Sequence, residues 1–218
     1  MAFMKLIFDN QLLKIAIKDN GEKLFYIKNF CPKITLRLAT YIKKEGKKSR
    51  EDACFVRKSV ADRMNQAQSF LPKGYKLLLR CGYRSLLTQK RRYNWMYKRL
   101  EKRYPEWNKE KLRDETSKCV APPDIVPPHS TGGAVDVSII GPNGKQLDMG
   151  EKLGAFNEKT YTFSDKISKT AKKNRKLLIL VMTKAGFINY PTEWWHWSYG
   201  DRYWAAALKK KHSIYNSV

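Results

Sequence analysis

Three histidines occur among the 218 residues, and two of them lie in segments that also supply carboxylates: His129-Ser-Thr-Gly-Gly-Ala-Val-Asp136 and Glu193-Trp-Trp-His196. Imidazole nitrogen and carboxylate oxygen are donors that zinc prefers, and a catalytic zinc takes three protein ligands while leaving one position open for water. His129, Asp136 and His196 supply such a set for one ion per chain. Glu193 is left over as the base. The third histidine, His212, follows Lys209-Lys210-Lys211 and is expected in solvent.

These residues can meet only if the chain between them folds in a particular way. Gly132-Gly133 lets the loop after His129 turn back, so that a residue before a strand and one inside it reach a common ion. Ala134 to Ile140 alternates enough to be that strand, and Gly141-Pro-Asn-Gly144 is the turn after it. The aromatic stretch Glu193 to Tyr199 reads as a second strand. Glu193 and His196 are three residues apart and would point to opposite faces of a regular strand, so both can serve one ion only if the chain bends at Trp194-Trp195.

The rest of the chain supplies the frame. Val56, Val60, Met64, Ala67 and Leu71 form the stripe of an amphipathic helix over 55–71, stopped by Pro72 and Gly74. Tyr75 to Arg80 is a short leucine-rich strand, and Ser85 caps a basic, aromatic helix running to about Arg103. Pro105 to Pro128 reads as loop, because Pro122-Pro123 and Pro127-Pro128 refuse helix and central strand alike. A helix from about Asp165 to Ala185 follows, with Ser164 before it, Gly186 behind it, and Ile167, Ala171, Leu178, Val181 and Ala185 facing the core. Helices and strands mix without regular βαβ alternation, which predicts an α+β fold with a mainly antiparallel sheet flanked by helices.

No repeat, low-complexity tract or Gly/Ser linker divides the sequence, and one domain with a basic C-terminal tail is expected. Lys and Arg number 44 against 20 Asp and Glu, a net charge of +24. The basic clusters at 90–92, 172–176 and 209–211 are scattered and carry no zinc-finger, RNP or basic-zipper pattern, so solvated faces are expected and specific nucleic-acid binding is not. Charges at Lys5 and Asp9 interrupt any signal-peptide core, and the longest apolar run, Leu177 to Met182, is far short of a membrane span. A cytoplasmic protein is expected. Cys31, Cys54, Cys81 and Cys119 show no Cys-x-x-Cys pairing and read as unreactive thiols.

Gly82-Tyr-Arg-Ser85, Pro128-His-Ser-Thr-Gly-Gly-Ala-Val-Asp136 and Glu193-Trp-Trp-His-Trp197 together resemble the D-alanyl-D-alanine dipeptidases, of the vancomycin-resistance type within the zinc DD-peptidase superfamily. The similarity runs from about residue 28 to 204. It implies a hedgehog-like fold, His129, Asp136 and His196 as zinc ligands, Glu193 as general base and acid, and Arg84 as stabiliser of the oxyanion. It also puts Pro127 where relatives often carry serine, and Asn157 where dipeptidases carry an aspartate for the substrate's ammonium. The activity implied is hydrolysis of the small dipeptide D-Ala-D-Ala. A DD- or LD-carboxypeptidase acting on longer peptidoglycan peptides shares the same site, and a basic binding module with a structural metal is the non-enzymatic alternative. The oligomeric state does not follow from the sequence.

Overall fold

The computed structural model describes residues 6–7, 9–40 and 46–218. The strands are β1 (Ala16–Ile17), β2 (Leu24–Tyr26), β3 (Thr35–Leu36), β4 (Phe55–Arg57), β5 (Lys76–Cys81), β6 (Ala134–Ile140), β7 (Ile188–Asn189), β8 (His196–Ser198) and β9 (His212–Ser213). The helices are α1 (Asp9–Leu12), α2 (Lys47–Asp52), α3 (Lys58–Ser69), α4 (Leu86–Arg103), α5 (Lys109–Ser117), α6 (Lys169–Lys184) and α7 (Arg202–Ala207). The main sheet has the order β3-β5-β6-β8-β7, with β3 parallel to β5 and the remaining neighbours antiparallel. The expected α+β class therefore holds.

Every residue of the central strand β6 is buried, yet its two faces differ. Val135, Val137 and Ile139 join Leu77 and Leu79 of β5 in the main core, which α3 completes with Val60 and Met64 and α6 with Leu178 and Val181. Each such side chain contributes about 1.5–3 kcal/mol when fully buried. Ala134, Asp136 and Ser138 alternate onto the other face, so burial of one face fixes where the other presents its carboxylate.

Several local expectations change. Phe55–Arg57 is a strand paired with β2 rather than the first turn of a helix, which begins at Lys58. The segment expected as loop contains α5, capped by Asn108. The long helix starts at Lys169, because Ser168 and not Ser164 accepts the capping bond from the backbone of Ala171. Arg175, counted among solvated bases, is only 2% exposed. Its guanidinium donates to the carbonyls of Met149, Tyr161 and Lys159 at 2.8, 2.5 and 2.6 Å, tying α6 to the loop over 149–162. The C-terminal residues are no free tail either. His212 is half-buried in β9, which pairs with β1, and Tyr215 is fully buried. No helix among the described residues is long and apolar enough to cross a membrane.

Candidate active site

Sheet register assembles the site. Asp136 of β6 stands directly opposite Cys81 of β5 on one side and His196 of β8 on the other. Residues opposite one another share a face. The bend demanded at Trp194-Trp195 is present: a turn closes with the His196 amide donating to the Glu193 carbonyl at 3.1 Å. Glu193 thereby stays beside the residue that opens β8, its carboxylate 3.9 Å from His196 Nδ1.

His129 arrives from a short 3₁₀ turn, Pro128–Thr131, which ends at Gly132 with φ +73°. A Cβ there would lie 2.3 Å from Leu24, so only glycine turns the chain into β6. Arg57 holds the same turn, donating from Nε to the Thr131 carbonyl at 2.7 Å while its amide donates to Gly132 at 3.0 Å. The 82–85 motif packs against it. The amide of Arg84 donates to the His129 carbonyl at 3.1 Å, and His129 Nδ1 donates to the Gly82 carbonyl at 2.8 Å.

That last bond sets the chemistry. Burial pushes the His129 imidazole down to about 4, so it is neutral at pH 7. With its proton on Nδ1, it turns the Nε2 lone pair toward Asp136 Oδ1 at 3.2 Å. His196 Nδ1 lies 3.2 Å from the same oxygen, and the two rings meet edge to face with centroids 4.8 Å apart. Donors bound tetrahedrally at about 2.0–2.1 Å are themselves roughly 3.3 Å apart, so the spacing of each imidazole nitrogen from Asp136 Oδ1 suits a pair of ligands to one small divalent cation. Burial alone would raise the Asp136 carboxyl, but the imidazoles against it hold it well below the usual carboxylate range. His196 is raised: burial opposes this, and its hydrogen bond to Asp136 prevails. Burial moves Glu193 up to about 8.

Arg84 is 8% exposed and completes the pocket. Its Nη1 donates to Gln89 Oε1 at 2.8 Å and its Nη2 to Cys81 Sγ at 3.5 Å, while Gln89 Nε2 donates to the Ala121 carbonyl at 2.7 Å. A cavity of about 80 Å³ joins Arg84, His129, Asp136, Glu193 and His196. All five residues singled out in the sequence are thus brought together. Gln89, Arg57 and Cys81 were not singled out. Among the described residues, the trio whose donor atoms all lie within 4.8 Å of one another is Cys81 with His129 and Asp136. Burial pushes its thiol up to about 11, so at neutral pH it is a protonated acceptor for Arg84. Asn157 lies apart, its Nδ2 donating to Glu151 at 3.0 Å.

Comparison with known proteins follows the same lines. The sequence profile of the D-Ala-D-Ala dipeptidase family matches residues 31–217. The chain is 32% identical over 103 residues to a D-alanyl-D-alanine dipeptidase of Synechocystis, covering 42% of each protein. It is 35% identical over 68 residues to the dipeptidase of Escherichia coli, covering 31% of this chain and 35% of that one. The aligned part thus spans less than half the length of these two relatives. With the dipeptidase of Enterococcus faecalis the identity is 29% over 163 residues, 69% of this chain and 78% of the relative. Among solved structures, the LD-carboxypeptidase LdcB is 22% identical with a TM-score of 0.47 over 92% of this chain and 80% of that one. The vancomycin-resistance D,D-pentapeptidase VanY, solved in complex with Zn(II), is 17% identical with a TM-score of 0.43 over 71% and 77%. With a profile match that takes in β3 through β9 and with them Arg84, His129, Asp136, Glu193 and His196, the chain belongs to the D-Ala-D-Ala dipeptidase family of metallopeptidases.

Proposed function

We propose that this chain hydrolyses the peptide bond of D-Ala-D-Ala with one zinc ion held by His129, Asp136 and His196. The observation that supports it most directly is the position of Asp136 Oδ1, 3.2 Å from both His129 Nε2 and His196 Nδ1. A zinc ion so held lowers the pKa of its water from about 15.7 to about 7 and polarises a carbonyl. Glu193, partly buried at the edge of the pocket, takes the water's proton as the substrate carbonyl is attacked. Arg84, which stays charged at any working pH, presents its guanidinium to the developing oxyanion. Glu193 then delivers the proton to the leaving amine, and two D-alanines are released. The Gly82 carbonyl keeps the His129 tautomer correct throughout.

The test is to measure bound metal and D-Ala-D-Ala hydrolysis on one purified sample, before and after chelation and after zinc is restored. Stoichiometric zinc and activity that disappear and return together are expected. Hydrolysis that survives complete removal of metal overturns the proposal.

A further inference from the structure

The turn that delivers His129 has each backbone carbonyl from 129 to 132 occupied. The His129 carbonyl accepts from the Arg84 amide at 3.1 Å, the Ser130 carbonyl from the Val218 amide at 3.0 Å, the Thr131 carbonyl from Arg57 Nε at 2.7 Å, and the Gly132 carbonyl from the Arg57 amide at 3.0 Å. Arg57 therefore holds two consecutive residues of this turn, once with its side chain and once with its backbone.

Arg57 closes β4 and is 5% exposed. Its three guanidinium nitrogens serve three separate segments: Nε the Thr131 carbonyl, Nη1 the Glu22 carbonyl, and Nη2 the Asn216 carbonyl at 3.0 Å. Asp19 stands 3.6 Å from Nη2, and the Tyr215 ring lies 5.0 Å from the guanidinium carbon. The two outer segments are also tied to each other around it. Tyr215 donates its hydroxyl to Glu22 Oε2 at 2.5 Å, and the Asn216 amide donates to Asp19 Oδ2 at 2.7 Å. Val218 extends the same frame to the 82–85 motif, because its backbone oxygen accepts from the Tyr83 hydroxyl at 3.0 Å while its amide holds Ser130. Residues 215–218 line no part of the pocket, yet they bridge the two motifs that do.

Stability alone does not call for a buried guanidinium here, since apolar side chains of similar volume often serve as well. What arginine adds is geometry. Its planar fork fixes three segments in one register, which the single nitrogen of lysine on a flexible stem cannot do. Resting on the peptidase reading of the pocket, we infer that Arg57 is a positioning residue for the reaction: it couples the segments over 19–22 and 215–218 to the 129–132 turn and so sets where the His129 imidazole stands against Asp136. Arg57 acts through His129 and touches no reacting atom.

The experiment compares full-length wild type and Arg57→Lys, each well below its own Tm. It reads zinc affinity by chelator competition, the visible spectrum with cobalt in place of zinc, and kcat and KM on D-Ala-D-Ala. Arg57→Lys should bind zinc about tenfold more weakly, the lower end of the loss for an outer partner of a ligating histidine. Its cobalt spectrum should shift, and kcat of the zinc-saturated variant should fall with KM little changed, because Arg57 does not meet the substrate. A folded Arg57→Lys with a lower Tm but wild-type zinc affinity and cobalt spectrum overturns the inference and leaves the peptidase reading intact. Should that variant not fold, Tyr83→Phe combined with Tyr215→Phe cuts two outer ties and leaves Arg57 in place. A smaller loss of zinc affinity in the same direction then supports the coupling, and wild-type affinity with an unshifted cobalt spectrum overturns it. A wild type that binds no stoichiometric metal overturns both readings.

Discussion

The carbonyl oxygen of Gly82 accepts a hydrogen bond from His129 Nδ1 at 2.8 Å, which fixes the imidazole with Nε2 turned toward Asp136. One backbone atom thus links the Gly-Tyr-Arg-Ser motif to the proposed metal ligands. Gly82 itself has no room for a side chain, since a Cβ would lie 2.5 Å from the carbonyl of Phe55. Gly82→Ala must displace that backbone and with it the bond to His129. Loss of an outer partner of a ligating histidine typically costs 10–100-fold in metal affinity. A zinc titration of Gly82→Ala should show a loss in that range; affinity equal to wild type would mean the carbonyl does not matter.

In the proposed reaction Glu193 takes the proton of the attacking water without belonging to the proposed ligand set. Glu193→Gln keeps the shape and removes the base, so turnover should fall by about 10²–10⁴ while bound zinc stays stoichiometric. Metal analysis and turnover on the same preparation check this, and wild-type hydrolysis by the zinc-loaded variant would remove Glu193 from the mechanism.

Arg84 is held as a plane by two acceptors, Gln89 Oε1 on Nη1 and Cys81 Sγ on Nη2. Lysine offers a point charge that cannot satisfy both and still face the pocket. Arg84→Lys should therefore lose about 10²–10³ in kcat, the effect of removing one oxyanion donor, with a much smaller change in zinc affinity. Equal losses in both quantities would assign Arg84 a role in holding the ligands instead.

How much of this could be read from the sequence depends on whether the signal was local. The cap at Ser85, the strand Ala134–Ile140 and the bend before His196 were legible, because each follows from neighbours in the chain: a side-chain oxygen three residues from its donor, an alternating run, a pleat that three residues cannot satisfy. α5 was missed because only Leu112 and Thr116 are buried along it, too few to make a stripe between the prolines. Arg175 sat in a run of bases, and only the folded loop shows the three carbonyls it serves. Cys81 faces Asp136 through the β5-β6 register, which no single strand encodes.

Arg175 gives a prediction on stability. Burial lowers its guanidinium to about 10, still charged at neutral pH, and removing it leaves the Met149, Tyr161 and Lys159 carbonyls without their donor. Each orphaned buried acceptor costs about 1–3 kcal/mol, and water entering the gap recovers part of it, so Arg175→Ala should destabilise by about 3–5 kcal/mol. Lysine reaches fewer of the three and should rescue only partly. Urea unfolding of both variants checks the order; an Arg175→Ala protein within 1 kcal/mol of wild type, roughly the scatter of surface substitutions, would show that the loop does not depend on the clamp.

The last prediction concerns the metal-free protein. Glu193 ionises near its ordinary 4.5 when unfolded and at about 8 when folded, because burial disfavours its charge. Between those values the folded state holds the extra proton, so stability falls as pH rises. His196, also raised in the fold, adds to the fall as pH passes its folded value. His129 acts in the opposite sense, because burial lowers it to about 4 from 6.5, but its contribution is complete by pH 6.5. The buried thiols Cys81 and Cys119, which burial pushes up to about 11 and about 12, begin to matter only above their unfolded value of 9.0. From pH 6.5 to 8 the slope therefore belongs to Glu193 and His196, and at 1.36 kcal/mol per pH unit Glu193 alone accounts for about 2 kcal/mol. Thermal unfolding of chelated protein across this window should show a falling Tm, and Glu193→Gln should show a distinctly shallower fall. A variant with the same slope as wild type would mean that Glu193 is already ionised in the folded protein at pH 6.5, and that it reaches the water as a carboxylate without help from the metal's charge.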